Sequence, residues 1–372
     1  MYKKRSELFD CNFVYFLILS MFVVVRIISS TFEIDTVMSY VLNLIIQVPL
    51  ALCLPVFLFS FLRKQKVKKT LSYYGFKKTS IKAILISLAI GVFVYILTIF
   101  ISSFFSTIIS LLGYESIGTV AEIPEYPVWL LIIELITTAV LPGICEEVAN
   151  RGMLLNCYKR LGSKKAILLS GLFFGLMHLN INQFFYATII GFYLGFVAIL
   201  CDNIWPVIII HFTNNALSTF MSFASANNLW VYRWVEKMFE MVLSSGAVSG
   251  IFVLFIFVSF VCIVMFWLTK KLCKETRVRH LTQVADQMLR TQLRNDLMKD
   301  VEDAEVQPIQ NDTGIQLTQQ TIGGRTVFNI DFSKEIVAYK PYVPNKKENI
   351  FMYANLFLGI VVTIFTFIWG IL

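Results

Sequence analysis

The stretch VWLLIIELITTAVLPGICEEVANRGMLLNCY, residues 128–158, combines a long apolar run with the ionisable residues Glu134, Glu146, Glu147 and Arg151. The apolar residues run on without alternating, over a length that crosses a bilayer as a helix. In hydrocarbon only a helix or a closed barrel satisfies its own backbone, and a barrel strand would alternate. Each charged residue placed there costs about 2.5–3.5 kcal/mol on insertion, which makes it a candidate for function.

The rest of the chain repeats the apolar pattern. Of 372 residues, 57% are hydrophobic and 15% charged, and the mean hydropathy is +0.71. A soluble domain of this length needs more polar surface to cover its core. Nine stretches read as spans: Cys11–Ile28, Val37–Leu62, Ala83–Leu112, Val128–Tyr158, Lys164–Asn180, Phe184–Leu200, Trp205–Phe223, Ala247–Leu268 and Ile350–Leu372. The expected fold is all-α, a polytopic transmembrane bundle of about eight or nine spans. Lys3, Lys4 and Arg5 precede the first stretch, but no small-residue cleavage site follows it, so it reads as an uncleaved span.

The net charge of +8 sits in short loops between apolar runs. That is a topology signal, and the loops lack aromatic residues for base stacking, so nucleic acid is not expected as a partner. Eight Lys and Arg lie between Arg63 and Lys82 with no acid among them, and Arg151 to Lys165 is also basic. The 29–36 loop carries Glu33 and Asp35, and the 113–127 loop carries Glu115, Glu122 and Glu125, with no base in either. Positive loops face the cytoplasm, so the expectation is a multi-pass integral membrane protein with its N-terminus inside. The seven cysteines show no CxxC spacing and read as small apolar residues of packed or lipid-facing helices.

The chain divides into N-terminal transmembrane helices (1–127), a core holding the ionisable cluster (128–223), a further transmembrane stretch (224–268), a cytoplasmic module (269–349) and a last span (350–372). In the module, Thr276 to Val301 reads as a charged amphipathic helix, and Thr318 to Phe332 as two short strands about Gly323-Gly324. Such a helix can lie on the membrane, bind a protein partner, or connect spans.

The chemistry gathers in the core. The chain has three histidines, and two of them, His178 and His211, stand in apolar stretches. Glu146 and His178 are equidistant from Gly162, so in an antiparallel hairpin both rise ~24 Å above the turn. His211 and Asn215 are four apart and share a face. Glu147 and Arg151 are also four apart and read as a structural ion pair, leaving Glu146 pointing elsewhere as the reactive carboxylate. A carboxylate with a histidine can activate water, and a histidine with an asparagine can hold an oxyanion. Glu134 lies about 18 Å earlier on its helix and reads as an interfacial residue.

EEVANR (146–151), FGLMH (174–178) and HFTNN (211–215), in this order and each on an apolar helix, resemble the CAAX-protease and bacteriocin-processing superfamily, which includes the type II CAAX prenyl endopeptidases and Abi-type proteins. Asn150 stands where many relatives carry an aromatic residue, and 269–372 has no counterpart in the family core. The resemblance implies an intramembrane endopeptidase acting on membrane-associated proteins or peptides, prenylated CaaX substrates among them. It makes Glu146 and His178 the water activators and His211 and Asn215 the oxyanion stabilisers, with Glu147, Arg151 and Phe174 in support. No cofactor is expected. Zinc is the alternative, with Glu146, His178 and His211 as ligands. Two other functions compete with the protease: a non-catalytic scaffold or immunity protein of the same fold, and a transporter. The expected partners are the bilayer, a membrane-associated substrate, and a protein at 269–349.

Overall fold

The computed structural model describes residues 6–32, 35–115, 126–244, 246–299, 316–322, 325–331 and 344–371. Among them, eight helices are long and apolar enough to cross a membrane. They are α1 (Glu7–Thr31), α2 (Val37–Leu62), α4 (Ile81–Leu111), α5 (Val128–Leu161), α7 (Ile181–Cys201), α8 (Trp205–Ala226), the stretch Ser249–Thr276 of α10, and α11 (Ile350–Trp369). The chain is a multi-pass integral membrane protein with an all-α bundle. Shorter helices are α3 (Val67–Tyr73), α6 (Ser163–Met177) and the amphipathic α9 (Trp230–Ser244). Large apolar side chains such as Phe61, Ile81, Ile251 and Phe255 are exposed on the outside of the bundle, as a lipid-facing surface requires.

The stretch Lys164–Asn180 is not a full span. It folds as α6, whose 15 residues rise only ~22 Å, short of the ~30 Å hydrocarbon core. Four glycines explain why so short a helix is held. A Cβ on Gly171 would come within 2.9 Å of the Gly191 carbonyl carbon, and one on Gly191 within 2.9 Å of Gly171 Cα. Gly175 and Gly195 sit in the same seam, so α6 and α7 pack backbone to backbone as an antiparallel hairpin. The tight turn between them puts Leu179 at φ 49°, in the left-handed region.

Polar contacts define the two ends of the bundle. At the basic end, Glu7 accepts from Arg160 and Tyr73, Arg63 Nη1 bonds Asp10 at 3.1 Å, and Lys77 pairs with Asp202. The Ile204 amide donates to the Gly75 carbonyl at 3.0 Å, and Ser80 bonds Glu275 at 2.9 Å. Burial, reinforced by Cys157 and Glu7, pushes the Tyr73 phenol well up from its ordinary pKa. At the opposite end, Tyr40 donates to Glu134 at 3.0 Å, Asn227 to the Tyr126 carbonyl at 2.9 Å, and the Glu115 amide to the Gly370 carbonyl at 2.9 Å.

Two more features complete the fold. The expected amphipathic helix is continuous with the preceding span in α10 (Ala247–Lys299), while Val301 lies outside the described residues. The N-terminal helices, the core and the last span, Met1–Val278 with Val343–Leu372, form one compact unit. The cause is long-range packing, since Tyr15 of α1 donates to the Phe173 carbonyl of α6 at 2.9 Å and Asn355 of α11 to the Asn12 carbonyl at 3.1 Å. The second unit, Arg279–Tyr342, contains β1 (Gln316–Ile322) and β2 (Arg325–Asp331), paired antiparallel with Gln319 opposite Phe328. Gly323 and Gly324 lie outside the described residues.

Candidate active site

The acidic pair sits where α5 departs from regular α-helix. π-helical segments Leu135–Val140 and Val148–Leu155 bracket the α-helical piece Leu141–Glu147. Pro142 contributes no N–H to the ladder, and such widened turns re-aim side chains. A Cβ on Gly143 would lie 3.1 Å from Phe212 Cβ and 3.2 Å from its Cα, so the glycine brings α5 close to α8.

Glu147 is completely buried. Its Oε1 accepts from Arg151 Nη1 at 2.8 Å and from His211 Nδ1 at 2.9 Å. Arg151 is also buried, donates through Nη2 to the Gly191 carbonyl at 3.0 Å, and lies 4.3 Å over the Phe174 ring. The Phe174 ring stands nearly perpendicular to those of His178 and His211, with centroids 5.1 and 5.5 Å away. The tight α6–α7 seam thus brings the Gly191 carbonyl to the arginine, and one phenylalanine spaces the two histidines.

Proton positions follow from the partners. The Phe174 carbonyl can only accept, so His178 Nδ1, 2.8 Å away, carries the hydrogen and Nε2 keeps its lone pair. On His211, Nδ1–H donates to Glu147, and Nε2 lies 3.2 Å from the Asn215 amide nitrogen. Asn215 Nδ2 also donates to the Thr138 carbonyl at 3.1 Å, while its oxygen accepts from Asn214 at 2.9 Å. Thr98 of α4 donates to the Asn214 oxygen at 3.0 Å. A hydrogen-bonded line therefore runs Thr98–Asn214–Asn215–His211–Glu147–Arg151 across three helices.

Glu146, His178, His211 and Asn215 all line one partly open cavity of about 480 Å³. Phe174 also lines it, whereas Glu147 and Arg151 are buried behind it. The rest of the wall is largely uncharged and polar, with Asn43, Thr98, Gln183 and Asn214 among its members. Asn150 faces away: its amide donates to the Glu146 carbonyl at 2.8 Å and to Met177 Sδ at 3.7 Å. Glu134 stays out of the cavity wall, held by Tyr40.

One residue escaped the sequence reading. Gln47 of α2 donates through Nε2 to Glu146 Oε1 at 2.8 Å and lines the same cavity. It stands at the start of the π-helical segment Ile46–Leu58, which contains Pro49 and Pro55. A polar glutamine in a largely apolar span, one turn after Asn43 and just before a pair of prolines, was the available signal.

Among the described residues, no group of three or more His, Cys, Asp or Glu side chains is placed to hold a metal ion.

Residues 127–217 match the family described as Rce1-like, type II CAAX prenyl endopeptidase Rce1-like. The match runs from the turn before α5 to Leu217 in α8. It contains Glu146, Glu147, Arg151, Phe174, His178, His211 and Asn215, but not Gln47 or Thr98. No curated protein and no solved structure matches the chain.

Proposed function

We propose that this Rce1-like membrane protein is an intramembrane endopeptidase that hydrolyses peptide bonds of membrane-associated proteins or peptides with an activated water. The observation that carries the reading is the shared cavity of Glu146, His178, His211 and Asn215, with the Glu147–Arg151 pair buried behind it.

Glu146 is the general base. Gln47 occupies one carboxylate oxygen, and the other has no protein partner and serves the cavity. A water between Glu146 and the His178 Nε2 lone pair loses a proton to the carboxylate as its oxygen attacks the scissile carbonyl. The proton then passes to the leaving amine, and Glu146 is regenerated. The Asn215 amide N–H is the donor for the oxyanion, and His211, whose Nε2 accepts from that amide, positions it. In the resting arrangement the Asn215 amide is engaged by Thr138 and His211, so one of these bonds yields when substrate binds. Residues supplying such donors often tighten onto the reacting atom only in the complex. The polar wall suits the amide groups of an extended peptide, which would otherwise lose hydrogen bonds in the bilayer. The loop charges support a cytoplasmic N-terminus.

The test is cleavage of quenched peptides, prenylated and unprenylated, by the detergent-purified full chain. Turnover abolished by both Glu146→Ala and His178→Ala supports the reading. Turnover that survives either substitution would remove that residue from the mechanism, and no turnover of any peptide by folded wild type would remove the protease.

A further inference from the structure

The cavity is not centred between the two ends of the bundle. On α2 its wall is made by Asn43 and Gln47, about 9 and 15 Å of helix rise from Val37 but about 28 and 22 Å from Leu62. On α4 it reaches Ser102, about 14 Å from Leu111 and about 32 Å from Ile81. On α7 it includes Gln183, about 3 Å from the start of a helix whose far end is about 27 Å away. On α8 it extends to Ser218 and Thr219, nearer Ala226 than Trp205. On α5 Thr138 lies about 15 Å from Val128 and about 35 Å from Leu161. Five helices of alternating direction agree: from the level of Glu146 the cavity extends toward the end opposite the basic loops.

In the other direction it is closed. Glu147, Arg151, Leu154, Leu155 and Tyr158 are buried in succession along α5 below Glu146. A small recess of about 70 Å³ enters from the basic end, between Lys77, Lys159 and Asp202. It stops at Arg151 and includes none of the four cavity residues singled out above. The Glu147–Arg151 pair therefore serves as the floor of the cavity, and the polar space lies wholly on its far side.

Charge supplies the sidedness. The basic end carries Arg63 to Lys82 and Arg151 to Lys165, whereas the acids Asp35 and Glu115 stand at the other end and the sequences 29–36 and 113–127 contain no base. Basic loops stay in the cytoplasm. We infer that the cavity is served from the extracytoplasmic side of the membrane, so that its substrate is an exported peptide or the extracytoplasmic part of a membrane protein. A cytosolic prenylated C-terminus would meet the closed floor. The substrate half of this inference rests on the protease reading, and the sidedness does not.

Labelling with a membrane-impermeant maleimide tests it on the full chain in sealed cells, with the seven native cysteines replaced by serine or alanine. Three exposed positions are compared: Ser218→Cys in the cavity wall, Glu115→Cys at the acidic end and Lys68→Cys at the basic end. Ser218→Cys and Glu115→Cys should label in sealed cells as fully as after permeabilisation, and Lys68→Cys only after it. Should the cysteine-free chain fail to fold, the same variants in the native background are read as label gained over wild type. If Ser218→Cys labels with Lys68→Cys instead, or Glu115→Cys proves cytoplasmic, the sidedness is overturned even where peptides are cleaved. If Ser218→Cys labels from outside while folded wild type cleaves nothing, the sidedness stands and the protease reading, with the substrate assignment, falls.

Discussion

His211 Nδ1 stands 2.9 Å from Glu147 Oε1, the same carboxylate oxygen that Arg151 Nη1 reaches at 2.8 Å. A carboxylate with no solvent exposure thus anchors both an arginine and a cavity histidine. Removing one partner of such a buried pair leaves an uncompensated charge, at a cost of about 3–5 kcal/mol. Glu147→Ala should therefore lower the thermal unfolding temperature and the yield of folded protein sharply. Glu147→Gln keeps the volume and an acceptor oxygen and should fall between it and wild type. Differential scanning of the purified variants reads the order directly, and equal stability of wild type and Glu147→Ala would deny the pair its structural role.

Glu146 should behave in the opposite way. The hydrogen bond that its carboxylate accepts from Gln47 survives in Glu146→Gln because an amide oxygen also accepts. That variant should unfold within about 1 kcal/mol of wild type, while peptide cleavage falls by about 10²- to 10⁴-fold, the range of a lost general base. Comparable loss of stability and of function would instead favour a structural carboxylate. The two neighbours in sequence are thus separable by experiment: one substitution costs the fold, and the other costs the reaction.

Gln47 should act through Glu146. It fixes one carboxylate oxygen at 2.8 Å, and its own Oε1 is buried without a hydrogen-bond partner. An orphaned buried acceptor is uncommon in a residue kept for stability alone. In Gln47→Met the base loses its orientation, and kcat should drop by about 10- to 100-fold, as small misplacements of reacting groups do. KM should stay within about two-fold, since the glutamine makes no substrate contact in this mechanism. A raised KM with unchanged kcat would move Gln47 from positioning the base to binding the peptide.

How much of this could be read from the chain depended on distance along it. Helical spacing alone put Glu147 and Arg151 on one face of α5, and the apolar runs marked the eight spans. The family pattern of 146–151, 174–178 and 211–215 named four residues that one cavity now contains. Gln47 was out of reach because it meets Glu146 across 99 residues, from a helix whose π-helical geometry shifts the facing side. The short α6 was misjudged as a span because its largely apolar run from Ala166 to Met177 is followed by one more apolar residue, Leu179, at which the backbone turns. Asn180 ends the run by capping α7, accepting from the Asn182 amide at 2.9 Å, and the glycine seam holds the two helices together beyond the turn.

The seam itself gives a further expectation. Gly191 touches Gly171 so closely that a methyl group would sit 2.9 Å from both its Cα and its carbonyl oxygen. Gly191→Ala must push α6 and α7 apart, and overpacking of this kind costs about 1–3 kcal/mol. The Gly191 carbonyl, which would shift with the helix, is the acceptor for Arg151 Nη2. Both stability and cleavage should fall, although residue 191 makes no contact with the scissile bond in the proposed mechanism. A Gly195→Ala control, whose methyl group would stand 3.4 Å from Ser170 Oγ, should be milder in thermal unfolding and in turnover. Equal effects at the two glycines would mean that helix separation does not govern the site.

Metal dependence provides the last discriminating measurement. Each histidine nitrogen whose direction is fixed by a partner points its N–H away from the cavity, His178 to the Phe174 carbonyl and His211 to Glu147. The free lone pair of His178 and the carboxylate of Glu146 remain for water, while His211 Nε2 is met by Asn215 at 3.2 Å. Three-ligand zinc binding would require His211 to give up that contact and close on Glu146 and His178, which are not clustered with it as ligands. Peptide cleavage should accordingly persist after prolonged dialysis against a strong chelator, and added zinc should not raise it. Activity lost on chelation and restored by stoichiometric zinc would turn Glu146, His178 and His211 into ligands. Asn215→Ala would then separate the two mechanisms further: it frees His211 for a metal in the one case and removes an oxyanion donor, with a loss of about 10²- to 10³-fold in kcat, in the other.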